Sequence, residues 1–403
     1  MGRVTSQGKN NLIKMPRIED EYLIQSITAA TSGNKCQKFH PAGGFKENFD
    51  WDYFLASARE NRISPLLYFY RKEERENFPE NYFQQLEADY LDTLAYNTFL
   101  WKKLNPILKS FEEKNIPVIL LKGIALGVTI YPSIGIRPMG DVDILIKEKD
   151  IFEVNETFKS FGYFSADIDP LDIEPGKTNY LTTLFYPGKN HWFHVHRHLI
   201  NSTLPNFSYI SKINMESIWQ KARPIEISGT QAFVLSPEHL IIYLCEHSMR
   251  VTHSFRQLIF HADISQAIYF HRDKIDWDDL VKKSYNFGLE RMVYCGLYAV
   301  NRVLHTEIPT DILDKLKPKK FKLGERKFLS LLAENRSSSG LSYFVHLAMN
   351  KKPSDKIKFI FRTLFPPKEM LAQKNGIPPS KINTLHYLSR VKDVLGHILL
   401  SKG

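Results

Sequence analysis

At 403 residues the chain can hold two or three structural units, and 43% hydrophobic with 24% charged residues excludes long-range disorder. A formal net charge of +10 favours polyanionic partners such as nucleotides, nucleic acid or an anionic membrane. Three scattered cysteines, Cys36, Cys245 and Cys295, exclude a disulfide framework and a zinc ribbon, and fit a reducing, cytoplasmic setting.

Residues 1–45 read as a loose polar arm with room for one helix near Tyr22 to Ile27. The opening MGRVTSQGKNNLIK carries no apolar stretch of the signal-peptide kind. Residues 46–94 form an N-terminal helical region, where Phe54, Leu55 and Ala58 recur at helical spacing. A long helix is predicted over about 80–114, with Leu86, Tyr90, Leu94, Leu104 and Phe111 near a period of 3.6.

From there the pattern changes, and residues 95–205 read as a compact mixed core. Pro117 to Leu121 is a short buried strand, and a helix opens directly off it at Gly123. Residues 142–146 form a second strand, and residues 151–161 a helix stopped at Gly162. Strands are expected around 181–186 and 192–199. Residues 206–403 are read as a C-terminal helical region. Ser236-Pro237 is a strong helix start, and helices are predicted at about 237–249, 255–271, 277–287 and 289–304. The run Lys315 to Lys327 holds seven basic residues and one acid, and reads as a solvated helix edge or a phosphate-facing surface. The most apolar window, Ile116 to Tyr131, is interrupted by Lys122 and is shorter than the ~20 residues of a bilayer span.

Two features carry chemistry. Asp141 and Asp143 stand at i and i+2 on a strand, so both face one side and can share a divalent cation, while Val142, Ile144 and Ile146 face a core. Gly123 starts a helix after a strand, where free N–H groups suit phosphate; Lys122 adds a charge and Arg137 a fork. Strand, glycine, helix and DxD strand fall within about twenty residues, and this joint arrangement is more specific than either part.

The stretches LLKGIAL (120–126), RPMGDVDILI (137–146), VHRHL (195–199), VLSPEHLIIYLCEHS (234–248), FHADISQAI (260–268) and RTLFPPKEML (362–371) resemble the nucleotidyltransferase superfamily that includes DNA polymerase beta. They are most similar to the bacterial group known only as uncharacterised nucleotidyltransferases. The resemblance implies an α+β fold: a small nucleotidyltransferase core with a short mixed sheet, flanked by helical regions. It implies a phosphate-binding turn at Lys122 and Gly123, and Mg2+ or Mn2+ on Asp141 and Asp143; Arg137 and Gly140 are further candidates for binding the nucleotide. The reaction would transfer a nucleoside monophosphate from a nucleoside triphosphate, with ATP the expected donor, to an unidentified small-molecule, protein or RNA acceptor. Pyrophosphate would be released.

The sequence departs from the pattern twice. Ile124 replaces the second small residue of the glycine turn, and His194 stands where a third carboxylate is expected. Either His194 joins the two carboxylates as metal ligand and catalytic residue, or Asp167, Asp169 or Asp172 takes over, or nucleotide binds without turnover. The last reading is a weakened binding protein of a biosynthetic or toxin-type system. A basic RNA-binding protein is the remaining alternative. His247, His253 and His261 are read as satisfied structural histidines, and Asp263 as a base-binding or helix-capping acid.

Overall fold

The computed structural model describes residues 17–31, 49–165, 182–185, 192–200, 210–250, 253, 255–334, 342–350, 352–375, 377 and 379–399. The chain opens with α1 (Ile18–Thr31), α2 (Trp51–Glu60), α3 (Ser64–Arg71) and the long α4 (Glu80–Glu113). The mixed segment follows: β1 (Ile119–Leu121), α5 (Lys122–Thr129), β2 (Asp141–Leu145), α6 (Ile151–Ser160), β3 (Phe164–Ser165), β4 (Thr182–Phe185), β5 (Trp192–His196), α7 (Met215–Lys221), β6 (Arg223–Ile227) and β7 (Thr230–Val234). Helices fill the remainder: α8 (Pro237–Met249), α9 (Leu258–His271), α10 (Trp277–Phe287), α11 (Glu290–Leu304), α12 (Thr310–Leu316), α13 (Leu323–Ala333), α14 (Ser342–Met349), α15 (Pro353–Leu364), α16 (Lys368–Asn375) and α17 (Thr384–Leu399). The expected α+β class is observed.

Local chemistry explains where several helices begin and end. Ser236 and Asp276 accept hydrogen bonds from His239 N and Asp279 N, which caps α8 and α10. Gly288 takes φ +69° after α10, and Gly162 takes φ +82° just past α6, conformations that cost glycine little.

The seven strands among the described residues form one mixed sheet, in the order β3-β4-β5-β2-β1-β7-β6. At its centre β2 runs antiparallel to β1 and parallel to β5. One face packs Val142, Ile144, Phe193 and Val195 against Leu104 and Leu108 of α4 and Phe158 of α6. The other face carries Leu121 and Leu145 into a larger core with α8, α9 and α11. Asp141 and Asp143 share the parity of Leu145, so alternation turns them towards that second face.

One expectation is corrected: residues 210–235 are not purely helical, because β6 and β7 form a hairpin that joins β1 through the parallel neighbour β7. Its two-residue turn, Ser228-Gly229, has φ of +53° and +74°, which matches the twist of the flanking strands. The polar residues alternating along 223–231 hide this strand pair from a search for apolar runs.

The basic run 315–327 is partly engaged in local pairs. Lys315 bonds Asp278 and Asp311 at 2.7 and 3.0 Å, and Arg291 pairs with the buried Glu325. No helix among the described residues is long and apolar enough to cross a membrane.

Candidate active site

The site assembles where three chain segments meet on the second face of the sheet. The start of α5, straight off β1, delivers Lys122 and Gly123, β2 delivers Asp141 and Asp143, and β5 delivers His194 and His196. Parallel register sets Asp143 beside His194 and Leu145 beside His196. That register, with alternation along each strand, puts Asp141, Asp143, His194 and His196 on one face.

Asp143 is the buried hub. Its Oδ1 accepts from Lys122 Nζ at 2.6 Å and bonds His196 Nε2 at 2.8 Å. His196 is fully enclosed, and burial pushes its pKa down to about 4 against the pull of Asp143. It is therefore neutral, and because a carboxylate only accepts, its proton sits on Nε2. Burial alone would raise the Asp143 pKa, but the Lys122 charge and the His196 hydrogen bond outweigh it and hold the carboxyl well below its usual range. Asp141 is more open. Burial first, then the charge of Asp143, raises its pKa.

His194 faces both acids. Its Nδ1 lies 3.5 Å from Asp141 Oδ2 and 3.8 Å from Asp143 Oδ1. One donor atom each from Asp141, Asp143 and His194 fall within 4.8 Å of one another. Two carboxylates and an imidazole on this scale suit a divalent cation, and the imidazole suits manganese or a later metal better than magnesium. Among the described residues no donor occupies Asp143 Oδ2, so that oxygen remains for a metal while Oδ1 holds Lys122 and His196.

Lys122 itself is held at φ +47°, a costly conformation for a residue with a side chain. It aims the ammonium across the sheet at Asp143. No side chain caps the start of α5, which leaves its first N–H groups available. A Cβ on Gly123 would come 2.5 Å from Arg137 Nη1 and 2.7 Å from Met139 Cγ. The glycine is thus required by close packing of the loop before β2. Beside Gly140, by contrast, a Cβ would meet nothing within 4 Å.

That loop is anchored from both sides. The buried Asn97 of α4 donates to the carbonyls of Ile134 and Arg137 at 2.6 and 2.9 Å. Arg137 turns its Nε and Nη2 to Asp263 of α9, at 3.2 and 2.9 Å from Oδ2, and Tyr131 donates to Asp263 Oδ1 at 2.9 Å. Asp263 therefore serves as the partner of Arg137 and Tyr131. Arg137 retains its place over Gly123, with Nη1 on the Pro138 carbonyl at 3.2 Å.

Sequence reading missed several groups. Arg62, between α2 and α3, donates to the Pro138 carbonyl at 3.1 Å and feels the charge of Asp141. Tyr243 of α8 is fully buried; burial and then the charge of Asp143 raise its pKa well above 10, so α8 walls the site. The Asp143–His196 bond was legible only as an alternation of histidines, since register decides which ring meets which acid. His247 and His253 pack with tilted rings 4.4 Å apart near this wall. His261 is buried against Phe255. His198 turns to the backbone of Ile200 instead of the acids. Asp167, Asp169 and Asp172 lie outside the described residues.

No curated protein matches the chain. Among solved structures, an antigenic nucleotidyltransferase-like protein from Paracoccidioides brasiliensis is similar at 14% identity and a TM-score of 0.34, over 55% of this chain and 96% of its own; so low a score carries no argument. Residues 47–305, more than half of the chain and the whole site, match the family described as uncharacterised nucleotidyltransferase, and the chain belongs to that family.

Proposed function

We propose that this protein is a metal-dependent nucleotidyltransferase. It moves a nucleoside monophosphate, with ATP the expected donor, onto a hydroxyl or phosphate of its acceptor and releases pyrophosphate. The observation that carries this reading is the convergence of Asp141, Asp143 and His194 within 4.8 Å beside the uncapped start of α5. Those three side chains would hold Mg2+ or Mn2+, and a bound cation there neutralises phosphate charge. The Gly123 N–H and Lys122 would bind phosphate oxygens, and the open space at Gly140 would admit them. Arg137, fixed by Asp263, would act as a positioned charge over the turn. His196 keeps Asp143 ionised and oriented through its Nε2 proton. A cytoplasmic location goes with this reading.

The test is label transfer from each of the four nucleoside triphosphates, carrying radioactive phosphorus at the α or the γ position, with Mg2+ or Mn2+ and mixed acceptors. The α-label should move to an acceptor, the γ-label should not, and Asp141→Asn should abolish transfer. A second reading, nucleotide binding without transfer, is favoured by His194 in place of an acid. Binding of nucleotide with no α-label transferred under any condition would establish it and sink the first.

A further inference from the structure

The C-terminal helices combine two properties that the active site does not use. Seven of the thirteen exposed large apolar side chains among the described residues lie between Ile357 and Leu395. Residues 351–400 also hold ten Lys and Arg against three Asp and Glu, which supplies seven of the ten net positive charges of the chain. Both features fall outside the family match at 47–305.

Their arrangement follows from helical geometry. At about 100° per residue, Ile357, Ile360 and Phe361 occupy one arc of α15, and Phe365 continues it at the helix end. Lys358 and Arg362 border one edge of that arc and Lys356 the other. The opposite side buries Phe359 and Thr363 against the rest of the fold. Phe361 and Phe365 stand 5.2 Å apart, and Phe365 reaches Tyr387 of α17 at 6.3 Å. Arg390 Nε bonds the Thr363 carbonyl at 3.2 Å and ties the two helices together.

We propose that the exposed arc of α15 forms a docking surface for an anionic lipid bilayer. Phe361, Phe365, Ile357 and Ile360 enter the headgroup boundary, and the flanking lysines meet acidic headgroups with their stems laid along the apolar arc. The chemistry disfavours the other occupants. Nucleic acid matches the lysines but leaves isoleucine and leucine exposed. A second copy opposes the same positive charge to itself. The protein would rest on the membrane, consistent with the absence of a spanning helix among the described residues.

The test is co-sedimentation of the full chain with phosphatidylcholine vesicles, with and without phosphatidylserine. Wild type should pellet with the serine-containing vesicles only, and less at high salt. Phe361→Glu with Ile357→Glu should weaken binding about tenfold or more, and Lys356→Ser with Lys358→Ser by a smaller factor. Ile357, Phe361 and Lys358 are exposed and Lys356 is half-buried, so circular dichroism melts should be nearly unchanged. Failure to pellet with anionic vesicles overturns the proposal, as does undiminished binding by the Glu variants. A concentration-dependent dimer abolished by Phe361→Glu would assign the patch to self-association instead.

Discussion

Two buried ion pairs sit on either side of the glycine turn, and they are built for different work. Arg137 meets Asp263 with two donors of a rigid fork, and Tyr131 fills the other carboxylate oxygen. This pair fastens the loop before β2 to α9 across 126 residues of sequence. Lys122 meets Asp143 with one ammonium on a flexible stem, and Asp143 keeps one oxygen without a donor among the described residues. The first pair is closed and structural. The second borders Asp141 and His194, whose donor atoms cluster with one of Asp143 within 4.8 Å. A planar fork locks a position, whereas a point charge on a long chain can change partners when a phosphate or a cation arrives.

Acid should separate the two pairs from the rest of the fold, and with the largest effect. Burial lowers the pKa of His239, His261 and His346 to about 4. In the unfolded chain each takes a proton near pH 6.5, but the folded state refuses it until about 4. The stability they allow is therefore full above pH 6.5 and falls as pH drops towards 4, by about 1.4 kcal/mol per pH unit for each. Asp143, held well below the usual carboxylate range, stays ionised through this window. Urea midpoints between pH 7 and 4 should show this loss. His346→Phe should remove only its own share of the slope, about 1.4 kcal/mol per pH unit.

Breaking the closed pair comes next. Asp263→Ala leaves a buried guanidinium without its partner and should cost about 3–5 kcal/mol in denaturant unfolding. Lys122→Met breaks the open pair while His196 still bonds Asp143, so about 1–3 kcal/mol is expected. Its larger consequence should be functional: fluorescent nucleotide binding should fall with the fold intact. Equal stability losses from the two variants would erase the distinction. Gly123→Ala should cost about 1–3 kcal/mol as well, because its Cβ would meet the Nη1 of a guanidinium that Asp263 holds and a buried Met139. Thermal melts should place it near Lys122→Met and above Asp263→Ala.

How much of this could be read from residues follows from distance along the chain. The DVDIL strand showed its two faces, since Val142, Ile144 and Ile146 alternate with the acids, and all three are buried. α8 and α10 were read at their observed limits because Ser236 and Asp276 cap them locally. The β6–β7 hairpin was missed because its strands are half-polar and its Ser228-Gly229 turn was passed over, though that dipeptide is a usable signal. Arg62 and the Arg137–Asp263 pair left no local trace. Their partners lie 76 and 126 residues away, and only the packing of α9 and the α2–α3 corner against the loop before β2 brings them together.

The central claim is that Asp141, Asp143 and His194 hold one divalent cation at a nucleotide site. Electron paramagnetic resonance titration of Mn2+, with a non-hydrolysable triphosphate present, tests it most directly. One tight Mn2+ per chain is expected in wild type, and Asp141→Asn and His194→Ala should each weaken it about tenfold or more while the thermal melt is preserved. Unchanged Mn2+ affinity in both variants would contradict the account.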